Sequence, residues 1–352
     1  MLKALKIENF RGIKKLETDA LRRVNLFFGK NNCGKSSLLE AVFWLFGMSN
    51  PRLPSTLNIT RDIFRYKKEN FQALFYGLND KENISVVGTD GNGVSREMGV
   101  VATFAPERKI ESSEINSNAL RSNIVQGTYE LKISFSLGGI AYDPVSCSVL
   151  TDTDGSALTT HPDTNYQESE VVNYLPPSRG NFEVTEAVKR LFLMKQESRL
   201  TDALSKIDSR VRDLVLAGDE VLVDFGGDMR LPLSVSGDGM RKIFHLLSVI
   251  LSQSGGAVII DEIDNGLHYS AMQPMWKAVL EAARRSNRQL FITTHNIDSL
   301  KALATVLSGC EDLQEDVLTA NLVRHAEGDV CEVIPYDFPA FELCINQEIE
   351  MR

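Results

Sequence analysis

The sequence predicts an α/β fold in which a mostly parallel sheet is flanked by helices and carries an antiparallel β-rich insertion and a short helical segment. Three observations predict this class. Apolar runs of strand length alternate with segments of helical periodicity at both ends of the chain. The middle is rich in Asn, Ser, Thr, Asp and Gly and contains runs of alternating apolar and polar residues. A stretch after it has apolar residues spaced at threes and fours, which favours helix.

The first part of the predicted head, residues 1–48, contains two strands and a helix. Residues 2–7 and 24–28 are short apolar-rich runs that are typical of strands. Residues 36–47 carry Leu, Val and Phe at helical spacing, which predicts a buried helix. The second strand therefore leads through a glycine-bounded loop into this helix.

Residues 49–173 are predicted to be the β-rich insertion, because alternating runs such as 129–137 favour antiparallel hairpins. Residues 107–122 and 152–169 offer little apolar periodicity, so we expect mobile loops there.

Residues 174–231 are the predicted helical segment, with helical spacing from 184 to 216 and without the sustained heptads of a coiled-coil arm. Residues 232–352 return to the predicted head. Helices are expected there at 240–252 and about 270–283, and strands at 257–260 and 290–293. Strands that alternate with helices of this length indicate parallel pairing.

The composition is that of a globular protein without a membrane span. No run reaches the roughly 18 apolar residues that a span needs, and the N-terminus lacks the apolar region of a signal peptide. We therefore predict a cytoplasmic protein that does not associate with membranes. The five cysteines have no metal-ligand spacing, which predicts free thiols rather than disulfides or structural zinc.

The net charge of −9 argues against a surface that coats nucleic acid, although it leaves room for a local basic patch. Solvated faces or helix ends are the simplest interpretation of the two basic clusters. The clusters are Lys14, Lys15, Arg22 and Arg23, and Arg284, Arg285 and Arg288. The charge therefore neither predicts nor excludes nucleic acid as a ligand.

The strongest motif is GKNNCGKS at residues 29–36, which fits the phosphate-binding pattern G-x4-G-K-S between a predicted strand and a predicted helix. Glycines permit the tight loop, and its N–H groups and the helix N-terminus hold phosphates. Lys35 would neutralise the β and γ phosphates of ATP, and Ser36 would supply a hydroxyl to Mg²⁺. The predicted nucleotide-binding residues here are Gly29, Asn31, Asn32, Cys33, Gly34, Lys35, Ser36 and Ser37.

A second motif is the apolar run AVII at 257–260, which ends in Asp261 and Glu262. A carboxylate at the tip of a buried strand is costly unless it meets a cation, and Mg²⁺ beside the phosphate loop would be that cation for Asp261. Glu262 would then orient or deprotonate the attacking water. The alternative is an acidic N-cap of a helix.

Two further elements follow the same order along the chain. Ser236, Gly237, Asp238 and Gly239 precede an apolar helix and would present a hydroxyl and free N–H groups to an anion, although a plain helix N-cap has the same residues. His295 ends the strand at 290–293 and would touch the γ-phosphate and the water, although a lone histidine there is more often structural.

These elements together resemble the ABC-type ATPase heads of the SMC and RecF kind, over about residues 1–48 and 174–305. Within that class the sequence is similar to the bacterial AAA_15 and AAA_21 ATPases, which include the ATPase part of the overcoming-lysogenisation-defect proteins. The matching runs are IENFRG at 7–12, YLPPSR at 174–179, SGDGMR at 236–241 and EIDNGLH at 262–268.

The resemblance implies a homodimer in which two heads close around two ATP molecules, with Mg²⁺. The signature of one head, Ser236 and Gly237, would cap the nucleotide held by the other, and Asn265, Gly266 and His268 would lie near the seam. Gln72 is expected to be the Q-loop residue that ligates the metal. Asp238 and Gly239 stand where transporter signatures have Gly and Gln, which puts the strength of hydrolysis in question.

The resemblance also bears on function. About 55 residues follow His295, with no second acidic cluster, so we expect no nuclease domain and no nuclease activity. The leading hypothesis is an ATPase that controls a separately encoded effector, such as a nuclease, in anti-phage defence, with nucleic acid or a phage component as the trigger. The last residues, 348–352, resemble the end of stand-alone members of the family.

The alternatives come from other classes. They are a RecF-like ATPase that clamps damaged DNA and a nucleotide-binding protein without turnover. A transporter ATPase is disfavoured, because the long β-rich insertion and the FRG run belong to the other branch.

Overall fold

The computed structural model describes residues 1–106, 127–150, 158–177, 182–325 and 330–347. The predicted loop at 107–122, the start of the one at 152–169, residues 178–179 of the YLPPSR run and the stretch 348–352 lie outside the described residues.

Strands and helices alternate in the last part of the chain, whereas the strands between residues 84 and 175 follow one another without an intervening helix among the described residues. The strands are β1 (Leu2–Phe10), β2 (Ile13–Thr18), β3 (Val24–Phe28), β4 (Ile84–Asp90), β5 (Ser95–Pro106), β6 (Gly127–Leu137), β7 (Ile140–Ala141), β8 (Val145–Leu150), β9 (Leu158–His161), β10 (Val172–Leu175), β11 (Asp213–Ala217), β12 (Glu220–Asp224), β13 (Leu231–Pro232), β14 (Ala257–Ile260), β15 (Gln289–Thr293), β16 (Val317–Arg324) and β17 (Cys331–Tyr336). The helices are α1 (Lys35–Phe46), α2 (Leu53–Ile59), α3 (Lys68–Gln72), α4 (Phe182–Leu193), α5 (Glu197–Ser205), α6 (Asp238–Leu251), α7 (Tyr269–Ser286), α8 (Ile297–Ser308), α9 (Glu311–Gln314) and α10 (Phe338–Asn346).

A six-stranded sheet forms the centre of the head, in the order β10-β14-β15-β3-β16-β17. Its first five strands are parallel, and β17 pairs antiparallel to β16. Every residue of β3, β14 and β15 is buried, as expected for parallel strands covered on both faces. Alternate residues of these strands face two hydrophobic cores, one shared with α6, α7 and α8 and the other with α1.

The largest sheet is antiparallel, which corrects the prediction of a mostly parallel sheet. It has eight strands, in the order β2-β1-β4-β5-β6-β8-β9, with β7 paired to β6. Strand β1, which we predicted only as a strand in the first part of the head, pairs with β2 on one side and with β4 on the other. Strands from the predicted insertion therefore continue a sheet that starts at the N-terminus. Helix α1 packs between the two sheets and contacts strands of both.

The predicted helix over 184–216 is wrong at its end. Helix α5 ends at Ser205, and β11 and β12 form a hairpin around Gly218, whose φ is +66°. Val211 and Leu214 are buried in the same core as α4 and α5. The spacing of these apolar residues in the sequence therefore reflects their burial in that core and not a continuation of the helix. The left-handed backbone at Gly218 suits a hairpin turn. Among the described helices, we find none whose length and apolarity would let it cross a lipid bilayer.

A buried carboxylate on α1 pairs with two arginines from other segments near the phosphate loop. Glu40 on α1 is only 1% exposed and accepts from Arg11 Nε at 2.9 Å and from Arg61 Nε at 2.6 Å. Arg11 lies in the FRG turn between β1 and β2, and it also donates to the carbonyl oxygens of Leu57 and Ala73. Burial lowers the pKa of Arg11, and the Glu40 charge opposes that shift. Glu40 therefore ties α1 to the N-terminal turn and to the segment around α2.

We predict that Glu40→Gln lowers the free energy of unfolding by about 3–5 kcal/mol, because it leaves the buried Arg11 guanidinium without a carboxylate. Denaturant unfolding without nucleotide measures the loss. Glu17→Gln is the control, since exposed Glu17 pairs with Lys6 and Lys15 at 3.7 and 3.4 Å, and it should cost less than about 1 kcal/mol. Equal losses in the two variants would contradict the importance of the Glu40 network.

Candidate functional site

The phosphate loop connects β3, at the centre of the parallel sheet, to α1. Gly29 and Gly34 have φ values of +136° and +105°, and Asn32 has a φ of +64°. A Cβ at Gly29 would lie 2.6 Å from the carbonyl oxygen of Leu322, so the loop requires glycine there. The predicted strand, loop and helix are confirmed.

The charges and donors of this loop fit a phosphate. Lys35 Nζ donates to the carbonyl oxygens of Gly29 and Lys30, both at 2.8 Å, and forms no ion pair within the described chain. Helix α1 starts after Gly34 with no side-chain cap, so N–H groups of its first turn are left for a ligand. The other contact of Lys35 Nζ is the Cys33 sulfur at 3.8 Å, so the ammonium meets no carboxylate, and at a positive helix end it has the chemistry of an anion site.

The acidic residues follow β14 at the same edge of the sheet and are held by the neighbouring strand. Thr293 Oγ1 donates to Asp261 Oδ1 at 2.5 Å and accepts from Glu262 N at 2.9 Å. Asp261 is buried, and Glu262 has a left-handed φ of +54°, which is uncommon for a residue with a side chain. One hydroxyl therefore fixes the carboxylate of Asp261 and the backbone of Glu262.

His295 lies beside Glu262, two residues after the end of β15. Its Nδ1 is 3.5 Å from Glu262 Oε1, and both side chains are partly exposed, at 51% and 37%. Thr294 N, one residue earlier, donates to the carbonyl oxygen of Phe27 at the end of β3. The carboxyl ends of β3, β14 and β15 thus bring the phosphate loop, the acidic pair and the histidine to one edge of the sheet.

The signature residues begin α6 in another part of the chain. Gly237 is the N-cap of α6, and the Asp238 carboxylate pairs with Arg241. Ser236 Oγ is buried and has no hydrogen-bond partner among the described residues. Within the described ranges, no hydrogen bond or ion pair joins residues 236–239 to the phosphate loop of the same chain. Residues 236–239 are therefore not bonded to Lys35 of the same chain, although Asp238 lines the same cavity as Asp261 and Glu262.

Gln72 also lies apart from the other predicted metal ligands. Its Nε2 donates to Asp80 Oδ2 at 2.7 Å, and the same oxygen accepts from Tyr129 OH at 3.0 Å. No hydrogen bond among the described residues joins Gln72 to Ser36 or Asp261. The amide is thus held by Asp80 and would have to leave it to reach a metal at the phosphate loop.

Sequence reasoning missed Arg61 and Thr293. Arg61, from the predicted insertion, pairs with Glu40 and donates to Ser37 Oγ at 3.4 Å, next to the phosphate loop. A single arginine in an irregular segment gives no periodic signal. Thr293 was visible only as the last residue of an apolar strand.

The basic clusters are largely used within the molecule. Arg284 pairs with Asp312 and Asp316, and Arg23 also pairs with Asp316. Arg288 is fully buried and donates to backbone carbonyl oxygens, so it is not on a solvated face as expected.

Matches to family models and to individual proteins support an ABC-type ATPase of the SMC and RecF-like class. Residues 1–135 match the family model AAA_15, described as "AAA ATPase domain", and residues 148–300 match AAA_21, described as "AAA domain, putative AbiEii toxin, Type IV TA system". The two matches cover the phosphate loop and the acidic strand with His295. They confirm the resemblance that the motifs indicate.

Individual relatives agree with this class. An ATP/GTP phosphatase of Helicobacter pylori is 27% identical over 327 residues, which are 87% of this chain and 88% of that protein. RecF of Lactobacillus acidophilus, a DNA replication and repair protein, is 51% identical over 41 residues, 12% of this chain and 11% of RecF. A solved SMC head bound to the C-terminal winged-helix domain of ScpA aligns with a TM-score of 0.51 at 11% identity, over 96% of this chain and 97% of that one, which shows a shared fold.

Proposed function

We propose that this ATPase works with Mg²⁺ as a homodimer in which two copies close around two ATP molecules, and that closure switches a separately encoded effector in anti-phage defence. One observation carries the first part of this proposal. The phosphate loop, the acidic pair and His295 meet at one sheet edge, whereas the signature makes no hydrogen bond or ion pair with that loop within the described chain.

Each residue of the edge has a role in this proposal. Lys35 and the loop N–H groups bind the phosphates, and Ser36 and Asp261 hold Mg²⁺, which neutralises charge that develops on the phosphates. Two protein ligands suffice, because Mg²⁺ in such sites is completed by substrate phosphates and water. Glu262 takes a proton from the attacking water, and His295, 3.5 Å away, orients that carboxylate and contacts the γ-phosphate.

The signature completes the site of the other copy. Ser236 Oγ is a buried hydroxyl without a partner in the described chain, and unpaired buried polar groups cost free energy until they find a partner. This hydroxyl is covered by its own chain, so closure would have to turn it outward before a phosphate oxygen of the nucleotide on the partner subunit could accept from it. The N–H groups at Gly237 and the start of α6 would add a positive helix end.

The effector part of the proposal draws on the comparisons. The matching AAA_21 description names a toxin of a type IV toxin–antitoxin system, and the structurally similar SMC head is bound to a partner protein, ScpA. Across the described residues, no group of three or more His, Cys, Asp and Glu is placed to hold a metal for nuclease chemistry. We therefore assign the output to a partner protein.

A RecF-like role on DNA is the second candidate, and the local identity to RecF favours it. Binding a duplex through phosphates requires unpaired Lys and Arg on one surface. The pairing of Arg23 and Arg284 with Asp316 and the burial of Arg288 weaken this candidate.

We predict that Lys35→Ala abolishes ATP binding, whereas Glu262→Gln keeps ATP binding and slows hydrolysis by about 100-fold or more, because the amide keeps the shape and loses the basicity. Equilibrium binding of a fluorescent ATP analogue and single-turnover hydrolysis measure the two steps. Lys277→Ala, on the exposed face of α7, is the control and should change neither. Unchanged affinity in folded Lys35→Ala protein would refute the phosphate-loop assignment.

Mixing two inactive variants tests whether each nucleotide is shared. Ser236→Arg should leave ATP binding by a single chain intact and block closure. A heterodimer of Ser236→Arg and Lys35→Ala chains carries both lesions at one composite site and none at the other, so partial hydrolysis should return on mixing. If sites formed within one chain, no mixing ratio would restore activity. A tandem-linked dimer with the same two lesions separates this outcome from strict coupling of the two sites.

Nuclease and DNA assays separate the two candidate functions. We predict that the purified chain with Mg²⁺ and ATP degrades neither DNA nor RNA, because Asp261 and Glu262 are committed to ATP. Cleavage that persists in the Glu262→Gln variant would contradict this. Hydrolysis stimulated by duplex DNA, with steep loss of binding as salt increases, would favour the RecF-like role.

A further inference from the structure

Lys242 links the signature helix to the turn that carries Glu262. It lies in α6, six positions after Ser236, and its side chain is partly buried. Its ammonium donates to the carbonyl oxygen of Glu262 at 3.4 Å and to that of Asn265 in a shorter contact. Because both acceptors are backbone carbonyl oxygens, the two contacts restrain the backbone conformation between Glu262 and Asn265.

The turn that receives these contacts has an unusual backbone. Glu262 is left-handed at φ +54° and Gly266 at φ +74°. The carbonyl oxygen of Glu262 also accepts from Asn265 N at 3.0 Å, which closes the turn. A residue with a side chain holds a left-handed conformation only when its surroundings impose it. Thr293 fixes the amide side of Glu262, and Lys242 fixes the carbonyl side.

Packing holds only part of this turn. Glu262, Asn265 and Gly266 line a cavity of about 1020 Å³ that is open to solvent and is also lined by described residues of α4, β11, β12 and α6. Lys242 lines the same cavity. Because one side of the turn faces this space, the hydrogen bonds of Lys242 stabilise its position where side-chain packing does not.

The position of the Lys242 ammonium costs desolvation free energy. Burial lowers the pKa of Lys242 to about 8, and the charges of Asp264 and Glu262 oppose that shift. The other charged or titratable groups that line the cavity near it are Arg241 and His245 on α6, Lys189 on α4, Asp219 and Glu220 of the β11–β12 hairpin, Asp238 and Asp261. A partly buried lysine held by two carbonyl oxygens rather than by a carboxylate indicates a specific positional role.

We infer that Lys242 is a positioning residue that fixes the turn 262–266 against the signature helix, so that a movement of α6 on closure is transmitted to Glu262 of the same chain. The inference rests on the proposed roles of Ser236 and Glu262. It adds a route within one chain: the helix whose start meets the nucleotide of the partner also holds, through Lys242, the carboxylate that acts on its own nucleotide.

Three variants test this role. Lys242→Met keeps a long apolar side chain and removes the donor, Lys242→Arg keeps a cation, and Lys277→Met changes an exposed lysine of α7. We expect kcat for ATP hydrolysis to fall at least about tenfold in Lys242→Met, with the affinity for a fluorescent ATP analogue within about twofold of the unmodified protein. Lys242→Arg should recover most of the loss, and Lys277→Met should lose nothing. Unchanged kcat in Lys242→Met, or equal losses of kcat and ATP affinity, would overturn the inference.

Hydrogen exchange without nucleotide provides a second readout that is independent of turnover. The amides of Asn265 and Leu267 are hydrogen-bonded within the turn, to Glu262 and Asp264. They should exchange faster in Lys242→Met, while those of β14 and β15 stay protected. Unchanged exchange across 262–267 would refute the positioning role whatever the kinetics show. Normal turnover in Glu262→Gln, with faster exchange in Lys242→Met, would instead refute the proposed role of Glu262 alone.

Discussion

The parallel pairing of β3, β14 and β15 is the constraint on which the site depends. Each strand is fully buried, and each ends at the same edge of the sheet, so the residues that follow them are brought together from distant parts of the sequence. The Thr293 hydroxyl then fixes the two acidic residues at this edge, because it donates to the Asp261 carboxylate and accepts from the amide of Glu262. The acidic pair thus lies beside the phosphate loop, as the proposed roles of Asp261 as a Mg²⁺ ligand and of Glu262 as a base require.

Buried charge connects this edge to the rest of the molecule. Glu40 lies on α1, one helical turn after the phosphate loop. It pairs with Arg11 from the N-terminal turn and with Arg61 from the segment after α2. Arg61 also reaches Ser37. The turn between the first two strands of the antiparallel sheet is therefore attached to α1 through buried ion pairs that are costly to break. A change in the position of that turn would therefore alter the position of α1.

Local sequence patterns predicted the elements that carry chemistry, because their signals are local. Strand β14 was predicted at its observed bounds, β15 within one residue, and the phosphate loop from its glycines and flanking periodicity. Pairing between distant strands leaves no such signal, so the continuation of the β1 sheet into β4–β9 was missed. The hydrogen-bond partner of a single polar side chain also depends on distant parts of the sequence, so local patterns do not predict it. Gln72 bonds to Asp80 rather than to the predicted metal ligands, and Arg61 reaches the loop without any motif.

The structure of Glu262→Gln protein with Mg²⁺ and ATP tests most directly whether two chains share each nucleotide. We predict a twofold dimer in which Lys35 of one copy and Ser236 of the partner subunit contact the same γ-phosphate, with Ser236 Oγ within hydrogen-bonding distance of it. ATP held by Lys35 in a monomer, or contacted by Lys35 and Ser236 of one chain, would contradict the shared site.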